Sequence, residues 1–339
     1  MANQETIAKQ LGISQRAVSF ALNGKLGVSG ETRKKILETA ERLGYRPNSA
    51  ARVMRSKETH SIGVIMHDAG EKRSARNHTF EFIVGINSVL EPAGYVMSLA
   101  QMTNVESSDM GMKRVFTEHR LDGAIVLASL QKSIRERIGQ LMGRCIWCDS
   151  GVRDDEGCLW RDEVAAGRLA AQALIDAGYR KLLWMHGYDE TSRLYRHTHE
   201  RGQGLMQVVK AAGVKVEEFG FETDEVPHRT DWMARMSPEV GVVVSEYQQA
   251  PQVAHTACLA GLRVGRDFGL ACCDDSDEIG RQFPQLSRAL YDRFEMGRRA
   301  ARMMIQRITR PDDICASWVD RPVWIEGQTA KPGSSLKPA

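Results

Sequence analysis

Apolar positions change period near residue 60. Before that point they recur at spacings of three and four, and after it short continuous apolar runs alternate with helix-length polar stretches. In the first part, Ile7, Ala8 and Leu11 share one helical face. Asn3 is placed to cap that helix, because its side-chain oxygen accepts from the unpaired N–H groups of a first turn, and Gly12 ends it. Ser14 caps a second helix over 15–22, closed by Asn23 and Gly24. Ser29 caps a third, with Glu31 in its first turn, Ile36, Leu37, Ala40 and Leu43 as its apolar stripe, and Gly44 at its end. Pro47 then breaks the chain, and Asn48 or Ser49 can cap one more short helix over 51–55. So short a helix is marginal alone, since nucleation is costly and few bonds repay it.

From Ser61 the apolar runs are SIGVIM (61–66), YVMSLA (95–100), GAIVLA (123–128), CIWC (145–148), KLLWMH (181–186), VGVVVS (240–245) and FGLACC (268–273). Continuous apolar strands separated by helix-length segments indicate buried parallel sheets with crossover helices, here two sheets, one per lobe. A polar tail after about Gln328 is expected to be loose.

Charge sharpens this division. Residues 1–60 hold eleven Lys or Arg against five Asp or Glu, a balance of +6, whereas the remainder balances at −3. Positive charge concentrated in one small segment suits a part that meets phosphate, although a solvated basic surface has the same composition. Two short helices around a Gly-containing turn form the helix-turn-helix pattern, whose second helix lies in the major groove. Its first turn carries Gln15 and Arg16. Arg bonds guanine O6 and N7, and Gln bonds adenine N6 and N7, each pair contributing about 1–3 kcal/mol of discrimination. Ala17, Val18 and Ala21 include the positions that pack this helix. Phe20 has two readings, facing outward against a thymine methyl or inward as core.

The 339 residues suffice for two or three domains. No run approaches the length of a membrane helix, and MANQETIAKQ has no apolar signal region, so a cytoplasmic location is expected. The seven cysteines, at 145, 148, 158, 258, 272, 273 and 315, read as reduced thiols. CIWC reads as two strand cysteines, with a redox or metal pair as the alternative; no second CxxC completes a zinc site. The motifs GxSxG, GxxxxGK[ST] and HExxH are missing, which argues against an enzyme. His197 and His199 lack completing ligands and read as a solvent-facing lobe edge, and Glu118 and His119 as an ordinary helix end. No metal and no cofactor is expected.

Residues 4–65 resemble the head of the LacI/GalR family of bacterial transcription regulators. The resemblance is carried by Ala8 with GIS (12–14), VSFALNG (18–24), VSGETRKKIL (28–37), LGYRPN (43–48), AR (51–52) and IGVI (62–65). It implies a homodimer reading a pseudo-palindromic double-stranded DNA operator, with paired hinge helices in the central minor groove and an apolar wedge between base pairs. The DNA-contacting set implied is Ser14, Gln15, Arg16, Ser19, Phe20, Asn23, Tyr45, Asn48, Ala51, Met54 and Arg55, with Met54 as the wedge where most members carry Leu. Phe20 stands where many members carry Arg.

The resemblance continues, more weakly, through LDGAIVL (121–127), AGRLAAQALIDAGYRKLLWMHG (166–187), ERGQGLMQVVKAAGV (200–214), DFGLACCDD (267–275) and FPQLS (283–287). It implies an all-α helix-turn-helix head and hinge helix joined to an α/β sensor domain like the periplasmic binding proteins. In that fold two doubly wound lobes are joined by three crossovers and a small-molecule effector sits between them. The expected boundaries are 1–46 for the head, 47–60 for the hinge, 61–330 for the sensor and 331–339 for the tail. The N-lobe takes about 61–161 and 292–318, the C-lobe about 163–288 and 321–330.

Open α/β sheets bind ligands beyond the carboxyl ends of their strands, which independently selects the same loops. These supply His67, Asp68, Ser129, Asp149, Arg201, Glu246 and Asp274. Arg201 heads the family's R-x-x-G pattern, Asp274 falls on its strand-end acid, and Glu246 stands where Asp is usual. Such residues suit sugar hydroxyls and also purines; the residues other than Arg201 and Asp274 equally suit helix capping or bridging of the lobes. Trp147, Trp160 and Trp184 are stacking platforms or core, with core preferred for two of the three. Glu326 replaces a basic residue usual in the last strand. The implied function is allosteric transcription regulation, repression foremost.

Overall fold

The computed structural model describes residues 3–22, 26–45, 59–67, 78–102, 121–127, 130, 132–188, 196–222 and 230–331. The chain divides into two compact units, Met1–Thr59 and His60–Ala339.

The first unit contains α1 (Gln4–Leu11), α2 (Gln15–Leu22) and α3 (Gly30–Arg42). Each starts on a side-chain cap. Asn3 accepts from the Thr6 N–H at 2.8 Å, Ser14 from Ala17 at 3.2 Å and Ser29 from Thr32 at 3.2 Å. Gly12 closes α1 at φ 64°, a backbone conformation that side chains with a Cβ resist. Ile7, Ala8, Val18, Ala21, Ile36 and Ala40 form the small core, flanked by Leu11, Leu43 and Tyr45. The stripe of α3 differs from expectation at one position. Leu37 is 47% exposed and Thr39 is buried in its stead, because Thr39 lies three residues beyond Ile36 on the inward face.

In the second unit the described strands form two sheets. The first contains β1 (Ser61–His67), β2 (Val96–Met102), β3 (Gly123–Val126), β4 (Cys145–Cys148), β5 (Cys158–Arg161) and β11 (Trp318–Asp320), in the order β11-β5-β4-β3-β1-β2. All its pairings are parallel. The second contains β6 (Lys181–Tyr188), β7 (Lys215–Glu222), β8 (Val240–Val244), β9 (Gly269–Cys272), β10 (Ser287–Leu290) and β12 (Val323–Ile325), in the order β12-β10-β9-β8-β6-β7. Only β12 runs antiparallel to its neighbour. The helices are α4 (His78–Leu90), α5 (Lys132–Met142), α6 (Glu163–Asp176), α7 (Arg196–Ala212), α8 (Gln249–Leu259), α9 (Asp277–Gln282) and α10 (Arg293–Thr309).

The chain crosses between lobes three times, from β5 to α6, from β10 to α10 and from β11 to β12. α10 buries Met296, Ala300, Met303, Met304 and Ile308 with Ile62, Val64, Ile125 and Ile146 of the first sheet. In each lobe two helices approach at backbone contact through glycine. A Cβ at Gly85 or Gly297 would lie 2.1 or 2.3 Å from a carbonyl oxygen of the facing helix, and one at Gly167 or Gly204 would lie 1.9 Å from such an oxygen.

Every apolar run read as a strand is a strand, and CIWC coincides with β4. Cys145, Cys148, Cys158, Cys272, Cys273 and Cys315 are buried and Cys258 is exposed, all as free thiols. Burial pushes the Cys145 thiol up to about 12, which leaves it protonated and unreactive. Trp184 is buried, while Trp147 and Trp160 are half-buried. The segment after Gln328, expected to be loose, is docked as far as Lys331. Thr329 and Ala330 are buried, Thr329 Oγ1 donates to the Leu270 carbonyl at 2.7 Å, and Tyr179 donates to the Lys331 carbonyl at 2.9 Å. Polar residues dock here because backbone groups of the second sheet supply partners for them. No described helix is long and apolar enough to cross a membrane.

Candidate functional site

In the first unit, the first turn of α2 presents Ser14, Gln15 and Arg16 to solvent, while Val18 and Ala21 hold the opposite face in the core. Spacings of three and four put the reading side chains outward and the anchors inward on one short helix. The Arg16 guanidinium lies 5.2 Å over the Phe20 ring. Phe20 is half-buried, its ring 3.3 Å from where a Cβ would stand on Gly27, so it supports Arg16 and the α2–α3 turn at once. Phe20 thus stands between its two readings, half-buried and not among the residues of the small core. Ser19 is half-buried and partnered, and Tyr45 packs against the core. Asn23, Asn48, Ala51, Met54 and Arg55 lie outside the described residues, as does the hinge segment up to residue 58.

In the second unit, charge gathers where the two sheets meet. Arg161, at the end of β5, donates from Nε to Asp149 Oδ2 at 3.1 Å, and its Nη2 lies 2.9 Å from the same oxygen. It also reaches Glu163 at 3.0 Å and Asp274 at 3.3 Å. Arg201, on α7 and fully buried, donates to Glu163 at 2.7 Å, to the Ser245 carbonyl and to Glu246 at 3.3 Å. Its Nη2 lies 3.5 Å from Asp274, longer than a charge-assisted hydrogen bond. Arg293, opening α10, donates to the Asp275 carbonyl at 2.7 Å and to Asp274 Oδ1. His197 Nε2 lies 2.6 Å from Glu246 Oε1, and Tyr291 donates to the Asp162 carbonyl at 2.9 Å.

Burial alone would raise the Asp274 pKa, but Arg293, Arg201 and Arg161 outweigh it and hold the carboxyl well below the usual carboxylate range. Among the described residues of this cluster, three guanidiniums face four carboxylates, Asp149, Glu163, Glu246 and Asp274. The two solvent-touched members are Asp149 and Glu246, each with 18% of its side chain exposed. Asp149 adopts φ 53°, a left-handed conformation that Asp tolerates better than most residues and that turns the chain sharply after β4.

Of the residues expected to hold ligand, the structure brings together Asp149, Arg201, Glu246 and Asp274. Asp68 and Ser129 lie outside the described residues, and of His67 only the backbone, at the end of β1, is described. His197 corrects the reading of RHTHERG as a solvent-facing edge. His199 is exposed, but His197 lies four residues before Arg201, so both project from one face of α7 toward Glu246. Sequence reasoning also missed Arg161, Glu163, Arg293 and Tyr291. Their signal was position, since each stands beside the carboxyl end of a strand, next to a crossover. Glu118 and His119 are outside the described residues. Among those residues no group of three or more His, Cys, Asp or Glu is arranged to hold a metal ion.

Residues 5–48 match the family of bacterial regulatory proteins named for lacI, and residues 171–330 match the periplasmic binding protein-like domain. The chain is 23% identical over 317 residues to the transcriptional repressor PurR of Vibrio vulnificus (strain CMCP6), covering 91% of this chain and 92% of the relative. It is 24% identical to the ribose operon repressor of Haemophilus influenzae, covering 92% and 94%. It is 27% identical to the transcriptional regulator AglR of Rhizobium meliloti, covering 80% and 78%. Among solved structures it resembles the lac repressor dimer bound to operator and the anti-inducer ONPF, with TM-score 0.78, 16% identity, and 97% and 99% of the chains covered. It also resembles the CelR–cellobiose complex, with TM-score 0.65, 21% identity, and 97% and 100% covered. These likenesses establish the fold.

Proposed function

Because the chain belongs to the LacI family of bacterial regulatory proteins, we propose that it is a transcription repressor that reads a pseudo-palindromic operator as a homodimer, under control of a small-molecule effector held between its lobes. The observation that carries the DNA reading is the first turn of α2, where Gln15 and Arg16 stand exposed on a helix whose other face is anchored in the core. Those side chains have the donors and acceptors that base edges in the major groove require. The surplus of positive charge in residues 1–60 supplies the sequence-independent part of affinity.

Dimer formation is supported by the edge of the first lobe. β2 is the edge strand there, Val96 and Leu99 on it are 65% and 54% exposed, and Phe80 on α4 is 67% exposed. Apolar side chains on and beside a strand that has one neighbour among the described residues suit burial against a second copy. For the effector, Asp149 and Glu246, the carboxylates of the cluster that touch solvent, supply acceptors that fit the hydroxyls of a polyhydroxylated molecule such as a sugar. The relatives that carry the name of ribose, and the CelR complex with cellobiose, are in keeping with that class. The regulatory role is non-enzymatic, and the proposed place of action is the cytoplasm.

The test compares full-length protein, a truncation lacking residues 1–58 and Arg16→Ala by fluorescence anisotropy on an operator duplex and a scrambled duplex. Truncation is expected to abolish binding, and Arg16→Ala to cost about 1–3 kcal/mol on the operator with little change on scrambled DNA. Binding that survives truncation would overturn the assignment of the head.

A further inference from the structure

We propose that Asp274 is a latch between the two lobes, held by Arg161 and Arg293, and that a ligand in the cleft acts by competing for that carboxylate. The second clause rests on the effector reading above, and the first does not.

Asp274 follows β9 and belongs to the second lobe. Arg161 ends β5 of the first sheet, and Arg293 begins α10, which packs on that sheet. Both reach Asp274 Oδ1, Arg161 at 3.3 Å and Arg293 at closer range. Arg293 also donates to the adjoining Asp275 carbonyl at 2.7 Å, so two first-lobe guanidiniums grip one short second-lobe segment. Arg201 meets the other Asp274 oxygen from within the second lobe, at 3.5 Å.

Two outer contacts accompany this grip. Arg153, between β4 and β5, lies 2.6 Å from Glu200 on α7, and Glu81 on α4 accepts from the Asp277 N–H at 2.9 Å. The outer contacts are partly exposed to water and correspondingly weak. The inner one differs, because the side chains of Arg293, Asp274 and Arg161 are 0%, 2% and 6% exposed. Pulling the lobes apart there separates opposite charges that have little water to replace their partners. That is costly unless a polar ligand takes the vacated bonds. Sugar hydroxyls donate to a carboxylate and accept from guanidinium, so a polyhydroxylated ligand can exchange with Arg161 at Asp274 without stranding either charge.

The latch also lies next to two of the three crossovers, since Arg161 precedes Asp162 and Arg293 follows Asp292. A movement of ångström size beside the pivots becomes a larger one at the lips of the cleft. Arg161 and Arg293 are therefore positioning residues for the lobe arrangement, whatever the ligand.

The first clause can be tested with no ligand. Cys258 on α8 of the second lobe is exposed while the other six cysteines are buried, so it takes one spin label and Gln140→Cys on α5 of the first lobe takes the second. Pulsed dipolar spectroscopy then reads the distance between lobes in the full-length protein. Arg161→Met and the near-isosteric Asp274→Asn are expected to lengthen or broaden that distance, with Arg161→Lys restoring part of it and circular dichroism unchanged. A distribution identical to that of the parent in folded Asp274→Asn protein would overturn the latch. Should Arg161→Met fail to fold, Asp274→Asn and Arg161→Lys carry the comparison.

The competition is read by adding a panel of mono- and disaccharides to the labelled parent. A saccharide that lengthens the distance, with its effect lost in Asp274→Asn, supports the second clause. A latch that opens in the variants while no saccharide shifts the parent would leave the latch standing and overturn the effector reading.

Discussion

Asp320 shows how one carboxyl can oppose the fold that contains it. It ends β11 at a crossover, is 8% exposed, and its Oδ2 has no hydrogen-bond partner among the described residues. Burial, then the neighbouring Asp292, pushes its pKa up to about 6, against the pull of Arg161 and Arg293. A carboxyl whose folded pKa exceeds its unfolded value penalises the folded state above both values, and the penalty fades as pH falls from about 6 toward about 4. Asp320→Asn is therefore expected to raise stability by about 1–3 kcal/mol at pH 7.5 and to change it little at pH 4, as measured by urea unfolding at both pH values. Equal stabilisation at the two would disprove the account. Asp274 has the opposite sign, since its depressed pKa gives stability that is present above about pH 4 and lost on strong acidification.

The same scale explains what was legible in the sequence. Asn3, Ser14 and Ser29 were readable as caps because a cap acts on a backbone N–H only two or three residues away. The charged cluster was readable only in part, because Arg161, Asp274 and Arg293 are more than a hundred residues apart at the extreme and only the fold brings them together. Arg201 and Asp274 were marked by resemblance, whereas their partners had no local signal beyond a place at the end of a strand.

Elements were legible where burial imposed an unbroken apolar run. β4, β8 and β9 are buried on nearly every residue and stood out as such. β7 was not read as a strand because KVEEFGFE alternates charged and apolar residues at the sheet edge, and β10, β11 and β12 were short. Leu37 was assigned inward on hydrophobicity, while the period of α3 favoured Thr39.

Helix pairing leaves a sharper sequence mark, in glycines that admit a facing backbone. At Gly167 on α6 a Cβ would sit 1.9 Å from the Arg201 carbonyl oxygen on α7, against rigid backbone. Gly167→Ala must push the two helices apart and with them Arg201. We expect a loss of about 1–3 kcal/mol or more in unfolding free energy, while Gly139→Ala, with nothing within 4 Å of its Cβ, should not destabilise. Thermal denaturation of the pair checks this, and equal melting temperatures would refute it.

At the scale of the whole molecule, two units of different construction lie on one chain. One is a small helical unit whose exposed α2 turn, in a segment with a surplus of positive charge, suits nucleic acid. The other is a two-lobed α/β unit whose lobes meet on a buried ionic cluster. That division was visible as the change of hydrophobic period near residue 60. What the sequence could not display was that residues expected to hold ligand are already engaged with one another. Arg201 and Asp274 occur in each reading, first as ligand contacts and then as members of a network that joins the lobes. Under the proposed latch, an effector that enters there has to be polar enough to replace ionic bonds. Affinity for DNA should fall steeply with salt because phosphate contacts release counterions, whereas the buried lobe contacts should be screened little.

The most direct test of the central claim is selection of duplex DNA from a random pool by the full-length protein at moderate salt. Enrichment of two short half-sites in inverted repeat about a deformable central step is the predicted result, since it requires a reading helix, a hinge and a dimer together. Enrichment of a single half-site or of no sequence at all would contradict it.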